Sequence, residues 1–142
     1  MLSIPFLIKC DYVSSIKSKK TYRVSRMKIV FVYNANSGLM NTVLDIGHKI
    51  ISPDTYECNL CAITYGVLTE NKEWKAFRES SKDELEFLHK DEFEEKYQQV
   101  RDYPIVLVSN TNNELSELLD KDELNKMQTA KQLIQKLQAT IK

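Results

Sequence analysis

The sequence predicts an α/β domain whose mixed sheet is flanked by helices, and three observations carry this prediction. Residues 28–33 and 105–109 are short apolar runs rich in β-branched side chains, which is typical of strands buried on both faces. Strand-like and helix-like segments alternate up to about residue 104, as parallel strands with crossover helices require. From residue 105, two strands are separated by a short polar turn and followed by a helix, which indicates an antiparallel hairpin.

Residues 27–66 contain the first strand, a polar turn and a helix. The strand at 28–33 is followed by turn and cap residues, and apolar side chains then recur at helical spacing over residues 39–51. This helix is predicted to end before Pro53, because proline restricts the residue ahead of it and does not continue a helix. The sequence CAITY at 61–65 is predicted to be a second strand.

The remaining elements follow from apolar spacing and from turn residues. We predict helices over 72–80 and 91–99, strands over 85–89, 105–109 and 115–119, a hairpin turn at 110–113, and a closing helix from residue 121 onward. Together with the first unit, this order matches a domain organised like a thioredoxin-type fold. Pro104, directly ahead of a strand, resembles the cis-proline of that fold.

Length and charge favour one domain with a separate N-terminal extension. A chain of 142 residues with 42% hydrophobic residues suffices for a single domain, which we assign to residues 27–142. Residues 1–26 carry a net charge of +5 and the remainder carries −5. The composition favours translation starting at Met27, with residues 1–26 not native, over a basic, mobile tail. Because the body is acidic, we do not expect a nucleic acid partner.

The cysteine count and the hydropathy predict a cytoplasmic protein. The chain has three cysteines, Cys10, Cys58 and Cys61, and an odd number is more typical of a reducing compartment than of a secreted disulfide scaffold. The sequence has no apolar segment of the length needed to cross a bilayer, so we do not expect a membrane partner. Residues 2–8 are apolar but lack the flanking features of a signal peptide. The sequence leaves other partners and the oligomeric state open.

Five stretches of the sequence resemble a known family. They are 33–39 (YNANSGL), 48–53 (HKIISP), 55–66 (TYECNLCAITYG), 72–74 (KEW) and 87–93 (FLHKDEF). Over residues 27–137 the chain resembles a family of small bacterial α/β proteins with no assigned reaction, some of which carry the label GTPase. This chain departs from that label. A phosphate-binding P-loop needs the pattern G-x-x-x-x-G-K-[ST], and residues 34–42 contain one glycine and no lysine.

Cys58 and Cys61 are spaced as Cys-x-x-Cys, and three interpretations of this pair stay open. Both fit a hydrophobic core, since cysteine is among the most buried side chains. Two thiolates from one turn also fit a zinc site, with His48 as a further ligand and Asp54 or Glu57 as a substitute for the fourth. The pair also fits dithiol redox chemistry, because thiols at this spacing close a disulfide and the first becomes a nucleophile at a helix N-terminus.

The predicted positions of these residues argue against redox chemistry. In a thioredoxin-type enzyme the cysteine pair follows the first strand, whereas here that place holds the turn at 34–38. If residues 61–65 form a parallel strand, the cysteines lie at the amino end of the sheet and the turn at its carboxyl end. His89 then lies too far from the cysteines to complete a zinc site, since a strand of five residues spans about 17 Å.

A second candidate site lies at the carboxyl ends of the strands, where open α/β sheets bind ligands. The turn after the first strand supplies amide, hydroxyl and backbone N–H groups at a helix N-terminus, which favours a small anion or a nucleotide. The candidate residues are Asn34, Asn36, Ser37, Gly38, Tyr65 and His89. Ordinary helix capping by Ser37 or Asn36 accounts for the same polar residues without a ligand.

These observations lead to one expected function and two alternatives. We expect an accessory or binding module with a buried or zinc-binding Cys58/Cys61 pair, and zinc is the one cofactor that the sequence suggests. The alternatives are a protein or enzyme that binds a small anion or a nucleotide through residues 34–38, and a thiol–disulfide oxidoreductase that uses the cysteine pair. The sequence assigns no residue a catalytic role and leaves open whether the chain is an enzyme.

Overall fold

The computed structural model describes residues 26–38, 58–65 and 69–141. Within these residues the strands are β1 (Lys28–Tyr33), β2 (Glu84–His89), β3 (Ile105–Ser109) and β4 (Leu115–Leu119). The helices are α1 (Asn59–Thr64), α2 (Lys72–Ser80), α3 (Lys90–Tyr97), α4 (Lys121–Lys126) and α5 (Ala130–Thr140). The predicted helix over 39–51 and residues 1–25 of the N-terminal extension lie outside the described residues.

The strands form one mixed sheet in the order β2-β1-β3-β4. Strand β1 pairs in parallel with β2 and antiparallel with β3, and β3 pairs antiparallel with β4. The predicted α/β class, with a mixed sheet and flanking helices, is therefore confirmed. Strand β1 occupies an inner position because residues 29–33 are apolar and all buried, as a strand covered on both faces requires.

The side chains of β1 alternate between two cores, since successive residues of a strand point to opposite faces. Ile29, Phe31 and Tyr33 lie in one core, and Val30 and Val32 lie in the other. The first core is completed by helix residues that include Leu60, Trp74, Leu124, Leu133 and Leu137. The second core is completed by Phe93 of α3 together with Tyr103, Ile105 and Leu107. The sheet is thus the middle layer between helices on both faces.

The prediction of a strand at 61–65 is wrong, because residues 59–64 form helix α1. Leu60, Ile63 and Thr64 are buried and recur at the three- and four-residue spacing of one helix face. The strand prediction relied on the β-branched residues Ile63 and Thr64 and overlooked this spacing. Tyr65 then forms a single antiparallel bridge with Glu70.

The closing helix is two helices rather than the one that was predicted. Each begins with a capping box: Asp120 accepts from the N–H of Glu123 at 2.7 Å, and Thr129 accepts from the N–H of Gln132 at 3.3 Å. The apolar spacing runs on across the break, which is why the sequence pattern did not separate α4 from α5. The predicted helices at α2 and α3 and the predicted strands β2 to β4 are confirmed near their expected bounds.

The chain enters β3 through a cis peptide bond between Tyr103 and Pro104, as the position of Pro104 predicted. Strand β3 then turns into β4 through residues 110–113, where Asn113 adopts a positive φ of 62°. Asparagine is one of the few residues that adopts this conformation readily, so the predicted hairpin turn has suitable chemistry. No helix among the described residues is long and apolar enough to cross a membrane.

Candidate functional site

Cys58 and Cys61 form a disulfide in the first turn of α1. Cys58 is the residue that caps the helix and Cys61 lies one turn into it, so their Cα atoms are 5.3 Å apart, within the usual range for a disulfide. Both residues are buried, with 1% and 9% of their surface exposed, and both belong to the core that contains Tyr33. The expectation that they are core residues is confirmed, and the structure adds the bond between them.

The sulfur of Cys58 accepts two backbone hydrogen bonds. The N–H of Asn34, directly after β1, donates to it at 3.3 Å, and the N–H of Cys61 donates to it at the same distance. The cysteine pair therefore lies at the carboxyl edge of β1, beside the turn. The prediction that the turn and the cysteines lie at opposite ends of the sheet is wrong, because it was derived from a strand at 61–65 that does not exist.

Helix α1 is held in place by its own polar side chains. Asn59 donates from Nδ2 to the carbonyl oxygens of Leu124 and Met127, both at 2.6 Å, which fixes the start of α1 against the end of α4. Thr64 is fully buried, and its hydroxyl donates to the carbonyl of Leu60 at 2.6 Å. These contacts position the disulfide, since Cys58 and Cys61 flank Asn59 within one turn.

Residues 34–38 are tied to α3 by a carboxylate. The N–H of Ser37 donates to both oxygens of Asp91, at 3.0 and 3.2 Å, and its hydroxyl donates to Asp91 Oδ2 at 2.6 Å. The N–H of Lys90 donates to the carbonyl of Ala35 at 3.1 Å. The Ser37 hydroxyl is the largest influence that holds the pKa of Asp91 below its usual value. The Ser37 donors that an anion would use are thus bound to an internal carboxylate.

The other residues predicted to bind an anion have different surroundings. Asn34 is half-buried, whereas Asn36 and Gly38 are exposed, and a Cβ at Gly38 would meet no atom within 4 Å. Gly38 therefore has no steric need to be glycine. Anion or nucleotide binding at residues 34–38 stays a prediction, and a ligand at Ser37 would have to displace Asp91.

Tyr65 and His89 lie on either side of Tyr33 at this edge. The ring of Tyr33 is 6.4 Å from that of Tyr65 and 6.2 Å from that of His89, measured between centroids. His89 is the partner of Tyr33 in the β1–β2 register. Its N–H donates to Glu92 Oε2 at 2.8 Å, and its Nδ1 lies at the same distance from that oxygen, so His89 is bound within the cap of α3.

The zinc site proposed from the sequence stays a prediction. Its third ligand, His48, lies outside the described residues, as do Asp54 and Glu57. Among the residues that the structure describes, no group of three or more His, Cys, Asp or Glu residues is arranged to hold a metal ion. In the disulfide, neither Cys58 nor Cys61 is a thiolate, which is the form that binds zinc.

Asp91 is the site residue that sequence reasoning missed. It was grouped with the charged run of residues around it, which was interpreted as a solvated face. The overlooked signal is position: Asp91 follows β2 by two residues, and β2 is parallel to β1, so Asp91 lies at the same edge as the turn after β1. An acidic residue in the first turn of a helix is also well placed to accept N–H donors.

The hydroxyl of Tyr33 is buried beside the cysteines and has no hydrogen-bond partner. Burial raises the pKa of this tyrosine. An unpaired buried hydroxyl costs about 1–3 kcal/mol, so Tyr33→Phe is expected to raise the free energy of unfolding by about 1 kcal/mol. Denaturant unfolding followed by circular dichroism measures this change.

Tyr97→Phe is the matched control for this prediction. The Tyr97 hydroxyl donates to Glu86 Oε2 at 2.6 Å, so the same atom is removed from a satisfied position. This variant is expected to lower the free energy of unfolding by about 1 kcal/mol. If both variants were destabilised equally, the Tyr33 hydroxyl would have a partner in solution and the prediction would be wrong.

Comparison with known proteins adds no assignment to this geometry. No protein-family model, curated protein or solved structure matches this chain. The resemblance to the family of small bacterial α/β proteins stays a prediction. The functional argument therefore rests on the contacts around Cys58 and Cys61.

Proposed function

We propose that the chain is a thiol–disulfide oxidoreductase of thioredoxin-like topology, with Cys58 and Cys61 as its redox centre. The observation that carries this proposal is the pair of backbone N–H groups, from Asn34 and Cys61, that donate to Cys58 Sγ at 3.3 Å each. Hydrogen bonds from fixed donors are stronger to a charged acceptor than to a neutral one, so they favour the thiolate. A stabilised thiolate makes the reduced pair accessible, which distinguishes an exchangeable disulfide from a structural one.

The architecture supports the same proposal. In a thioredoxin-type enzyme the cysteine pair follows the first strand in space, and a cis-proline precedes an antiparallel strand. Here the turn after β1 contacts Cys58 through Asn34. Pro104 has a cis peptide bond and precedes Ile105, which pairs with Val32 at the carboxyl end of β1. The cysteine pair and the proline are therefore both placed at the carboxyl edge of β1.

The reaction is a two-electron exchange with a partner disulfide. The Cys58 thiolate attacks one sulfur of the partner, a mixed disulfide forms, and the other partner sulfur leaves as a thiolate that takes up a proton. The Cys61 thiol then loses its proton, and its thiolate attacks Cys58 Sγ and releases the second partner sulfur, also protonated. The Cys58–Cys61 disulfide forms, and two electrons and two protons have moved to the partner.

The reduction potential tests this proposal directly. We would use the Cys10→Ser variant, so that the pair is the sole source of thiols, and equilibrate it in glutathione and dithiothreitol buffers. We expect a potential between about −180 and −300 mV, the range of known exchange enzymes and cytosolic buffers. A potential below about −300 mV is typical of a structural disulfide and would overturn the redox assignment.

The same preparation separates redox chemistry from the zinc-binding and buried-thiol interpretations. Metal analysis and thiol titration of protein purified under reducing conditions give the two quantities needed. One equivalent of zinc with both thiols protected would support the metal interpretation. Two free thiols that no oxidised glutathione converts to a disulfide would support a buried, inert pair. Rapid closure of the Cys58–Cys61 disulfide without bound metal is the result that the redox proposal expects.

A further inference from the structure

We propose that Asp91 is a positioning residue for the redox centre, acting through the turn at 34–37 to hold the Asn34 N–H against Cys58 Sγ. This inference rests on the proposed redox function and adds to it a residue that has no contact with either sulfur in the structure. The turn has two attachments on opposite sides. Asn34 contacts the sulfur, and three residues later Ser37 contacts the carboxylate.

The attachment to Asp91 is strong for a surface-near contact. One carboxylate accepts three hydrogen bonds from Ser37, two from its N–H and one from its hydroxyl, at 2.6–3.2 Å. A second contact, from the N–H of Lys90 to the carbonyl of Ala35, joins the same two segments at 3.1 Å. Because bonds to a charged acceptor are stronger than neutral ones, the Asp91 contact is the principal restraint on Ser37.

This restraint has a consequence for the sulfur. The donor at Asn34 is a backbone N–H, so its direction is set by the course of the turn and not by a side-chain rotamer. A hydrogen bond weakens steeply as its angle departs from linear. If the Ser37 end of the turn is released, the Asn34 N–H no longer keeps its alignment on Cys58, and the thiolate loses one of its two donors.

The charge of Asp91 acts in the opposite direction. A carboxylate near a thiolate repels it, so the charge alone disfavours ionisation of Cys58. Removing Asp91 therefore gives a result whose sign separates the two effects. If positioning dominates, the thiolate becomes less stable; if charge dominates, it becomes more stable. Other titratable groups at this edge, Tyr33, Tyr65, His89 and Glu92, are unchanged by the substitution.

The experiment is a thiolate titration in the Cys10→Ser/Cys61→Ser protein, where Cys58 is the remaining thiol and the backbone N–H at position 61 is retained. Thiolate is followed by its ultraviolet absorbance as the pH is raised. With Asp91→Ala added, we expect the ratio of thiolate to thiol at a fixed pH to fall about tenfold, the effect of one hydrogen bond to a charged group. Asp91→Asn and Ser37→Ala retain part of the contact, so each should give a smaller fall.

The reduction potential provides a second readout in the protein that retains both Cys58 and Cys61. Loss of thiolate stabilisation disfavours the reduced form, so Asp91→Ala should make the disulfide about tenfold harder to reduce, a shift of about 30 mV to more negative potential. A merely structural role of Asp91 would lower stability without moving either the titration or the potential.

Asp83→Ala is the matched control. Asp83 Oδ1 accepts from the backbone N–H of Met27 at 3.1 Å, again a carboxylate that fixes one end of β1, but at the amino end. It should leave the Cys58 titration unchanged. A shift of Asp91→Ala toward more thiolate, or one no larger than that of Asp83→Ala, would overturn the proposal. If Asp91→Ala does not fold, the same criteria apply to Asp91→Asn and Ser37→Ala. Failure of disulfide exchange would refute the redox function alone, because this titration needs no partner.

Discussion

Replacing Trp74 with alanine is expected to lower the free energy of unfolding by about 3–5 kcal/mol, the range for truncating a large buried aromatic residue. Trp74 has none of its surface exposed. Its ring packs edge-on against Phe31 of β1 at 5.4 Å and against Phe87 of β2 at 6.2 Å, and it lies 5.5 Å from Phe77. The substitution therefore removes the contact between α2 and two strands and leaves a large cavity.

Denaturant unfolding followed by far-ultraviolet circular dichroism measures this loss, because Trp74 is the one tryptophan and its fluorescence disappears with it. Val100→Ala is the control: 77% of Val100 is exposed, so its truncation should change the free energy by less than about 0.5 kcal/mol. Trp74→Phe retains a ring and removes a buried Nε1 that has no hydrogen-bond partner, so it should cost less than half as much. A loss below about 1 kcal/mol for Trp74→Ala would contradict the packing described.

The sheet was predictable because its strands are marked by composition. The runs at 28–33 and 105–109 are apolar and β-branched, and the structure places them side by side as β1 and β3. Their burial on both faces is a property that composition reports without any knowledge of partners. The hairpin between β3 and β4 was equally predictable, since its polar turn residues have a local conformational reason.

The site was predicted less well, because its geometry depends on contacts between distant segments. Cys58 is 24 residues from Asn34, and Asp91 is 54 residues from Ser37. One local error then spread. Reading Ile63 and Thr64 as strand residues placed the cysteines at the wrong end of the sheet and removed the argument for redox chemistry. The alternative spacing of Leu60, Ile63 and Thr64 was present in the sequence, but a segment of six residues fits either period.

The single-cysteine variants are expected to behave very differently from one another. With Cys10 replaced by serine in both, Cys61→Ser leaves Cys58 with its two N–H donors, whereas Cys58→Ser leaves Cys61 without them. We expect oxidised glutathione to form a lasting mixed disulfide with Cys58 in the first variant, since no second thiol releases it. Exchange catalysed by the intact pair should fall to the uncatalysed background in both variants. Mass spectrometry measures the mixed disulfide.

The relative rates of the two thiols decide whether hydrogen bonding or access controls the chemistry. Cys61 is more exposed than Cys58, 9% against 1%, so access alone predicts faster alkylation by iodoacetamide in the Cys58→Ser variant. Thiolate stabilisation predicts the opposite order, and one hydrogen bond to a charged group changes the thiolate ratio about tenfold. The lower intrinsic nucleophilicity of an acidic thiol offsets about half of that gain on a logarithmic scale. We therefore expect Cys58 to react about threefold to tenfold faster near neutral pH. Faster reaction of Cys61 would make it the attacking sulfur, with Cys58 as the sulfur that the two N–H groups stabilise as a leaving group.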